Sequence, residues 1–418
     1  MIATVRKARR LQGDIRVPGD KSISHRALIL GSIADGESHF RGLSPGADVM
    51  STAGCMRALG VEITDSSVRG VGMEGLRHPS EPLDCGNSGT TMRLLAGLLA
   101  AQPFSTELRG DESLSKRPMD RVVTPLREMG ADARWPPLIV GGQVPLHGIE
   151  YLMPVASAQV KSAILIAGLY ATGTTTVIEP VVTRDHTELM LEAMWGKAEG
   201  DYTKFQVHGI RRLEPLDIDI PGDLSAASFY LVAGALIPGS QIRVLGVGAN
   251  DTRTAIIEVM RSAGLNVSAS NSRNVARETV ADFSLVPVQE TSAIQVNGEM
   301  AARAIDELPI LAVAATQLPG VSRITGAREL RVKESDRIAA MAEGLSAMGA
   351  DITALDDGWE ITGPRRLEGA HVRSHKDHRI AMALAIAGLL ADGVTEIEDA
   401  ECVDISYPGF FDQLESLC

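Results

Sequence analysis

The feature that most constrains this chain is an internal repeat. A run of small apolar residues recurs six times. It appears as Arg26-Ala-Leu-Ile-Leu-Gly-Ser-Ile-Ala-Asp-Gly36, Met92-Arg-Leu-Leu-Ala-Gly-Leu-Leu-Ala-Ala101 and Ser162-Ala-Ile-Leu-Ile-Ala-Gly-Leu169. It returns as Ala226-Ala-Ser-Phe-Tyr-Leu-Val-Ala-Gly-Ala235, Leu308-Pro-Ile-Leu-Ala-Val-Ala-Ala315 and Ile380-Ala-Met-Ala-Leu-Ala-Ile-Ala-Gly388. The starts lie roughly 65 to 80 residues apart, far beyond the period of TPR or ankyrin units. Each run is apolar nearly all round, which predicts a helix buried on every side. A second helix follows each one. Five of these end at Gly60, Gly130, Gly196, Gly264 and Gly349, where glycine suits a left-handed C-terminal cap, and the sixth is Phe410 to Leu417. Alternating segments such as Val61-Glu-Ile-Thr64 and Asp351-Ile-Thr-Ala354 read as strands. The unit is therefore helix, strand, helix, strand, with further strands unplaced. Six buried helices do not fit one face of an ordinary sheet. Two groups of three enclosed by sheets do, with a seam near Asp217-Ile-Asp-Ile-Pro-Gly-Asp223.

Composition narrows the function classes. At 418 residues the chain exceeds what one core fills, and 44% hydrophobic content is ample for burial. A net charge of −13 argues against nucleic acid or an anionic membrane as the main partner. No apolar run of transmembrane length and no secretory leader occurs, and the basic start is followed at once by what reads as folded domain, so a cytoplasmic protein is expected. Cys55, Cys85, Cys402 and Cys418 are scattered and form no CxxC pair, so reduced thiols are expected.

Polar residues concentrate just before the six apolar helices. They include Pro18-Gly-Asp-Lys-Ser-Ile-Ser-His-Arg26, Cys85-Gly-Asn-Ser-Gly-Thr-Thr-Met-Arg93, Ala156-Ser-Ala-Gln-Val-Lys-Ser162, Pro221-Gly-Asp-Leu-Ser225, Ala304-Ile-Asp-Glu307 and His375-Lys-Asp-His-Arg379. Asp, Ser and Asn there are ordinary N-caps. Lys21, Arg26, Arg93, Lys161 and Arg379 are not, because a cation opposes the helix dipole at that end. Together with Ser115-Lys-Arg-Pro-Met-Asp-Arg121, Thr183-Arg-Asp-His186 and Arg328-Glu-Leu-Arg-Val-Lys-Glu-Ser-Asp-Arg337, they imply a small ligand carrying phosphates and carboxylates. Acid–base candidates are Asp306, Glu334 and Lys21. Asp306 opens an apolar helix, where desolvation favours the neutral acid.

Several motifs lack their required context. Gly70-Val-Gly-Met-Glu-Gly75 is followed by Pro79 and Pro82 rather than a long helix, so the dinucleotide fingerprint fails. Ser113-Leu-Ser-Lys116 has no Lys-Thr-Gly or Ser-Asp-Asn companion. His371, His375 and His378 do not share one helical face, so no metal site is expected.

These motifs carry a family match. The chain resembles the 5-enolpyruvylshikimate-3-phosphate synthases, in order and over nearly its whole length. The matching segments are Pro18 to Arg26, Gly86 to Arg93, Lys116 to Met119, Ser157 to Ser162, Thr183 to His186, Arg331 to Arg337 and Asp377 to Met382. The Ser-Ala-Gln-Val-Lys-Ser and Lys-Arg-Pro-Met forms resemble the class II branch. The resemblance implies an α/β fold, a two-domain inside-out α/β barrel with six βαβαββ-type repeats, three per domain. It places 20–220 in one domain and 1–19 plus 221–418 in the other, with the active site in the cleft between them. It implies a cytoplasmic monomer acting on small molecules, without metal, organic cofactor, nucleic acid or membrane.

The implied reaction joins shikimate 3-phosphate to phosphoenolpyruvate and releases phosphate, on the route to chorismate and the aromatic amino acids. The 5-hydroxyl adds to the enol carbon, then phosphate and a proton are eliminated. By resemblance Asp306 is the base on the 5-hydroxyl, and Glu334 and Lys21 handle the other proton. Shikimate 3-phosphate is met by Lys21, Ser22, Arg26, Ser157, Ala158, Gln159, Arg184, Asp306 and Lys333. Phosphoenolpyruvate is met by Lys21, Asn87, Gly89, Arg117, Gln159, Arg337 and Arg379. Thr90 lines the same loop as Asn87, and Glu307 adjoins the base.

The chain departs from the family pattern in places. The stretch Glu401 to Tyr407 lacks a lysine that some members carry, so its phosphate contact is absent or supplied elsewhere. Leu94 replaces a proline and Ala158 a serine, while Gly89 is retained where some glyphosate-tolerant members have alanine. The nearest rival is the UDP-N-acetylglucosamine enolpyruvyl transferase, which uses a cysteine on the loop matching Gly110 to Arg121; none is present here. A non-catalytic anion binder would need the cations but not Asp306, Glu334 and Lys21 together. A phosphosugar isomerase is disfavoured by the ordered set of motifs.

Overall fold

A computed structural model describes residues 1–141, 145–196, 199–200, 203–286 and 290–418. The described chain divides into two units, one of Met1–Pro18, Pro221–Arg273 and Thr279–Cys418, the other of Gly19–Ile220 and Asn274–Glu278. Gly19 and 274–278, expected with 1–18 and 221–418, group instead with the second unit. The cause is local contact. A Cβ on Gly19 would lie 1.8 Å from the Gly42 carbonyl oxygen. The Glu278 carboxylate bonds Nδ1 of His186 at 2.6 Å, and Arg277 reaches Glu192 at 3.2 Å.

Among the described residues each unit contains three small sheets built on one plan. In 83–141 the strand Leu83–Asp84 leads into the helix Gly89–Leu99 and then the parallel strand Ser105–Arg109. A second helix, Asp120–Glu128, leads to the hairpin Asp132–Arg134 and Leu138–Gly141, which completes the sheet antiparallel. The same order of pairing recurs in 150–208 and 295–363. The other three sheets recruit a strand from far along the chain. Asp217–Asp219 pairs parallel with Glu37–Arg41, and Gln12–Ile15 pairs parallel with Gln241–Val244. In the sixth sheet, Ile2–Arg6 runs antiparallel to Val394–Glu398 and takes the place of the hairpin.

The six apolar runs are helices: Lys21–Ser32, Gly89–Leu99, Ala158–Gly168, Leu224–Leu236, Leu308–Ala315 and His378–Leu390. All eight residues of Leu308–Ala315 are buried. Side chains this small let helices approach closely. A Cβ on Gly97 would sit 2.2 Å from the carbonyl oxygen of Ala163 on the neighbouring helix, so no larger residue fits without separating them. The glycines expected to end the second helices adopt the left-handed conformation, with φ of 93° at Gly60, 99° at Gly130, 72° at Gly196, 82° at Gly264 and 87° at Gly349.

Most helices begin earlier than the apolar runs alone suggest. The N-caps are Asp20, Ser88, Ser157, Asp223, Glu307 and Asp377. All but Glu307 accept a backbone N–H through their side chains. The capping interpretation is therefore correct for the short polar residues, and it leaves the cations within the opening turns of the helices. Among the described residues no helix is long and apolar enough to cross a membrane.

Candidate functional site

In the Gly19–Ile220 unit, three helix openings share one polar network. Lys21 Nζ lies 3.0 Å from Oδ2 of the buried Asp48, which sits in the first turn of the helix Ala47–Ala58. Arg184 Nη1 donates to Ser22 Oγ at 3.3 Å. Gln159 donates from Nε2 to Thr90 Oγ1 at 2.9 Å and accepts from Arg93 through Oε1, so it bridges two helix openings. Arg117 Nη2 donates to Asn87 Oδ1 at 2.8 Å, and Asn87 Nδ2 donates to Asp111 at 2.6 Å. A Cβ on Gly89 would lie 2.9 Å from Arg93 Nη1 and 3.3 Å from Arg117 Nη1. The absent side chain thus leaves backbone N–H groups at a helix start beside two guanidinium groups, a combination suited to an oxyanion.

The five helix-start cations differ in what they meet. Arg26 is fully buried and donates to Thr187 Oγ1 at 2.6 Å, Ser162 Oγ at 2.6 Å and the Ser22 carbonyl at 2.9 Å. Burial lowers its pKa to about 10, with the more distant carboxylates opposing that shift. Lys161 departs from the expectation that it awaits an anion. Its Nζ lies 2.8 Å from Glu179 and 2.5 Å from Glu188, and all three side chains are buried. Its charge is met within the protein. Ser157 serves as a cap through the Val160 N–H, and Ala158 is the first residue of that helix.

In the other unit, charge gathers around Arg337. This guanidinium, 1% exposed, donates from Nε to Asp377 at 2.8 Å, from Nη1 to Asp306 at 3.2 Å and from Nη2 to Glu334 at 2.7 Å. Burial works against its charge, but Asp377, Glu334 and Asp306 more than offset it, and its pKa lies above the ordinary arginine value. Asp306 Oδ1 also has Lys333 at 3.6 Å and Arg379 at 3.8 Å. The apolar, desolvated setting expected for Asp306 is therefore not what it finds: three cations surround a partly buried carboxylate. Such a group can accept a proton from a hydroxyl while the cations hold an anionic substrate close. Glu307 is next in sequence yet has other partners, accepting from Ser225 and facing Arg253 at 3.5 Å, both buried.

The structure thus gathers Lys21, Ser22, Arg26, Asn87, Gly89, Arg117, Gln159 and Arg184 into one unit's network. It gathers Asp306, Lys333, Glu334, Arg337 and Arg379 into the other's. Asp48 and Asp377 are the residues that sequence reasoning missed. Both look like ordinary helix-start acids, and only their tertiary partners distinguish them. His371 bonds Glu398 at 2.8 Å and His375 bonds Glu343 at 3.1 Å. Among the described residues no group of three or more His, Cys, Asp or Glu side chains is placed to hold a metal ion. The stretch Ala400–Ile405 forms a 3₁₀ turn without a lysine.

The whole chain, in sequence and in fold, is similar to known proteins. The profile of the family described as EPSP synthase (3-phosphoshikimate 1-carboxyvinyltransferase) matches residues 5–414. A 3-phosphoshikimate 1-carboxyvinyltransferase of Gloeobacter violaceus is 50% identical over 424 residues, covering 98% of each chain. One from Brevibacillus brevis is 48% identical over 420 residues, again covering 98% of each. The solved EPSP synthase of Acinetobacter baumannii superposes with a TM-score of 0.88 at 40% identity, covering 100% of this chain and 98% of that one.

Proposed function

From the premise that this chain belongs to the EPSP synthase family, we propose that it transfers the enolpyruvyl group of phosphoenolpyruvate to the 5-hydroxyl of shikimate 3-phosphate and releases phosphate. The enzyme is a transferase of aromatic amino acid biosynthesis. The observation that carries the residue assignment is the Asp306 carboxylate, held by Arg337 at 3.2 Å with Lys333 and Arg379 within 3.8 Å.

In the addition step Asp306 takes the proton of the 5-hydroxyl as its oxygen bonds to the enol carbon. The methylene carbon gains a proton, the step for which the family resemblance assigns Glu334 and Lys21, giving a tetrahedral ketal. In the elimination step the ketal loses phosphate, and the new methyl group returns a proton to restore the vinyl double bond. Acid and base exchange roles between the steps, so each group must both give and take a proton. Lys21 lies beside Asp48 at 3.0 Å and Glu334 beside Arg337 at 2.7 Å.

Phosphoenolpyruvate carries a carboxylate and a phosphate. In this reading Arg337, Arg379, Arg117, Lys21, Gln159, Asn87 and the Gly89 backbone hold them. Shikimate 3-phosphate is held by Lys21, Ser22, Arg26, Ser157, Ala158, Gln159, Arg184, Asp306 and Lys333. The addition–elimination chemistry transfers protons and a carbon–oxygen bond only, and calls on no metal or organic cofactor. The enzyme acts in the cytoplasm as a monomer on small molecules, without nucleic acid or membrane. The test is product analysis by NMR after incubation with both substrates. A carboxyvinyl ether at O5 of the shikimate ring supports the assignment, and unchanged substrates refute it.

A further inference from the structure

Arg184 lies on the connection between the strand Thr174–Ile178 and the helix His186–Trp195. Both ends of that connection are fastened to one residue. Lys161 Nζ lies 2.8 Å from Glu179, at the start, and 2.5 Å from Glu188, in the first turn of the helix at the end. The Glu179 carboxylate also accepts from the backbone N–H of Thr183 at 3.3 Å and from the Thr183 hydroxyl. It therefore closes the turn 179–183 directly before Arg184. Beside it, Thr187 Oγ1 donates to Ser162 Oγ at 2.7 Å, and Arg26 donates to both hydroxyls.

Lys161 is 3% exposed at its side chain and spends its charge inside the protein, so it does not meet substrate itself. An ion triad in an apolar helix bundle is a poor source of stability, because desolvation offsets most of the attraction and hydrophobic replacements are often neutral or better. Two carboxylates share one ammonium, and the buried Arg26 guanidinium is the next cation that interacts with Glu188. Burial raises the pKa of Glu188, with Lys161 acting against the shift. A costly arrangement that fixes both ends of one connection is better suited to geometry than to stability.

We propose that Lys161 is a positioning residue, holding the 179–188 connection so that Arg184 is presented to the phosphate-bearing acceptor substrate. This inference rests on the enolpyruvyl-transfer reading, in which Arg184 meets shikimate 3-phosphate. A contact made equally in ground and transition states alters KM and leaves kcat alone.

The test is steady-state phosphate release by the full chain, each substrate being varied in turn. In Lys161→Met, KM for shikimate 3-phosphate should rise about tenfold or more, the worth of one charge-assisted hydrogen bond. KM for phosphoenolpyruvate and kcat should stay within about twofold of wild type. Thr183→Val removes only the hydroxyl bond to Glu179 and preserves shape. It should raise the same KM about threefold, and it decides the matter alone if Lys161→Met does not fold. Wild-type KM in Thr183→Val, or a uniform loss in kcat and both KM values, would overturn the inference while leaving the reaction assignment intact. A wild-type chain that releases no phosphate would refute the reaction assignment and this inference with it.

Discussion

Replacing Asp377 by alanine tests the charge balance around Arg337. The Asp377 carboxylate is fully buried and receives two guanidinium bonds, at 2.8 and 3.2 Å, as well as the Arg379 backbone N–H at 2.9 Å. Truncating one partner of a buried pair costs about 3–5 kcal/mol. Arg337 keeps Glu334 and Asp306, which places this variant at the lower bound, about 3 kcal/mol. Loss of the helix cap adds about 1 kcal/mol, for a total of about 4 kcal/mol. Asp377→Asn retains an acceptor for the cap and one for Arg337, and should cost about 2 kcal/mol. Urea unfolding followed by tryptophan fluorescence reads this unit through Trp359, which is fully buried and donates from Nε1 to the Ile338 carbonyl at 2.9 Å. With a slope of about 3 kcal/mol per M, the midpoint should fall by about 1.3 M for alanine and about 0.7 M for asparagine. Midpoints within about 0.2 M of wild type for both, or asparagine as damaging as alanine, would refute Asp377 as the buried counter-charge.

Three further outcomes are expected. Asp306→Ala should lower turnover by about a hundredfold or more while calorimetry still detects substrate binding, and wild-type turnover would remove it from the mechanism. Gly97→Ala should destabilise by about 3 kcal/mol, because its Cβ would meet the Ala163 oxygen at 2.2 Å. Gly349→Ala, whose Cβ would meet nothing nearer than 3.8 Å, should cost only about 1–2 kcal/mol of left-handed strain; equal unfolding midpoints for the two would contradict the packing argument. His25 is held well below its ordinary pKa of 6.5, first by burial and then by Lys21 and Arg26. The unfolded chain therefore binds a proton that the folded chain refuses as pH falls below 6.5, so stability present above that pH is lost beneath it. His25→Gln should flatten the stability profile below that pH by up to about 1.4 kcal/mol per pH unit, and an unchanged slope would exclude His25 as the source.

The helical half of the fold was legible because its signal is local. Eight successive apolar residues from Leu308 to Ala315 admit few alternatives to a buried helix, and a glycine after Ser346-Ala-Met348 marks its neighbour's end. The sheets were legible only in part. The alternating segments Val61–Thr64 and Asp351–Ala354 do contain the strands Glu62–Ile63 and Asp351–Leu355, but Leu83–Asp84 is only two residues long, and Gln12–Ile15 pairs with a strand more than two hundred residues on. Site residues were legible as cations at helix starts, but their pairing was not. Lys161 and Arg379 present the same local pattern. One is neutralised by Glu179 and Glu188, and the other stands beside Asp306 in a cluster of mixed charge. Likewise Asp306 follows an apolar logic in sequence and a cationic one in space.

The measurement that tests the central claim most directly is phosphate release from phosphoenolpyruvate in the presence of either shikimate 3-phosphate or UDP-N-acetylglucosamine. Release should occur with shikimate 3-phosphate alone, in equal amount to the acceptor consumed. Release with UDP-N-acetylglucosamine alone, or with neither acceptor, would contradict the assignment.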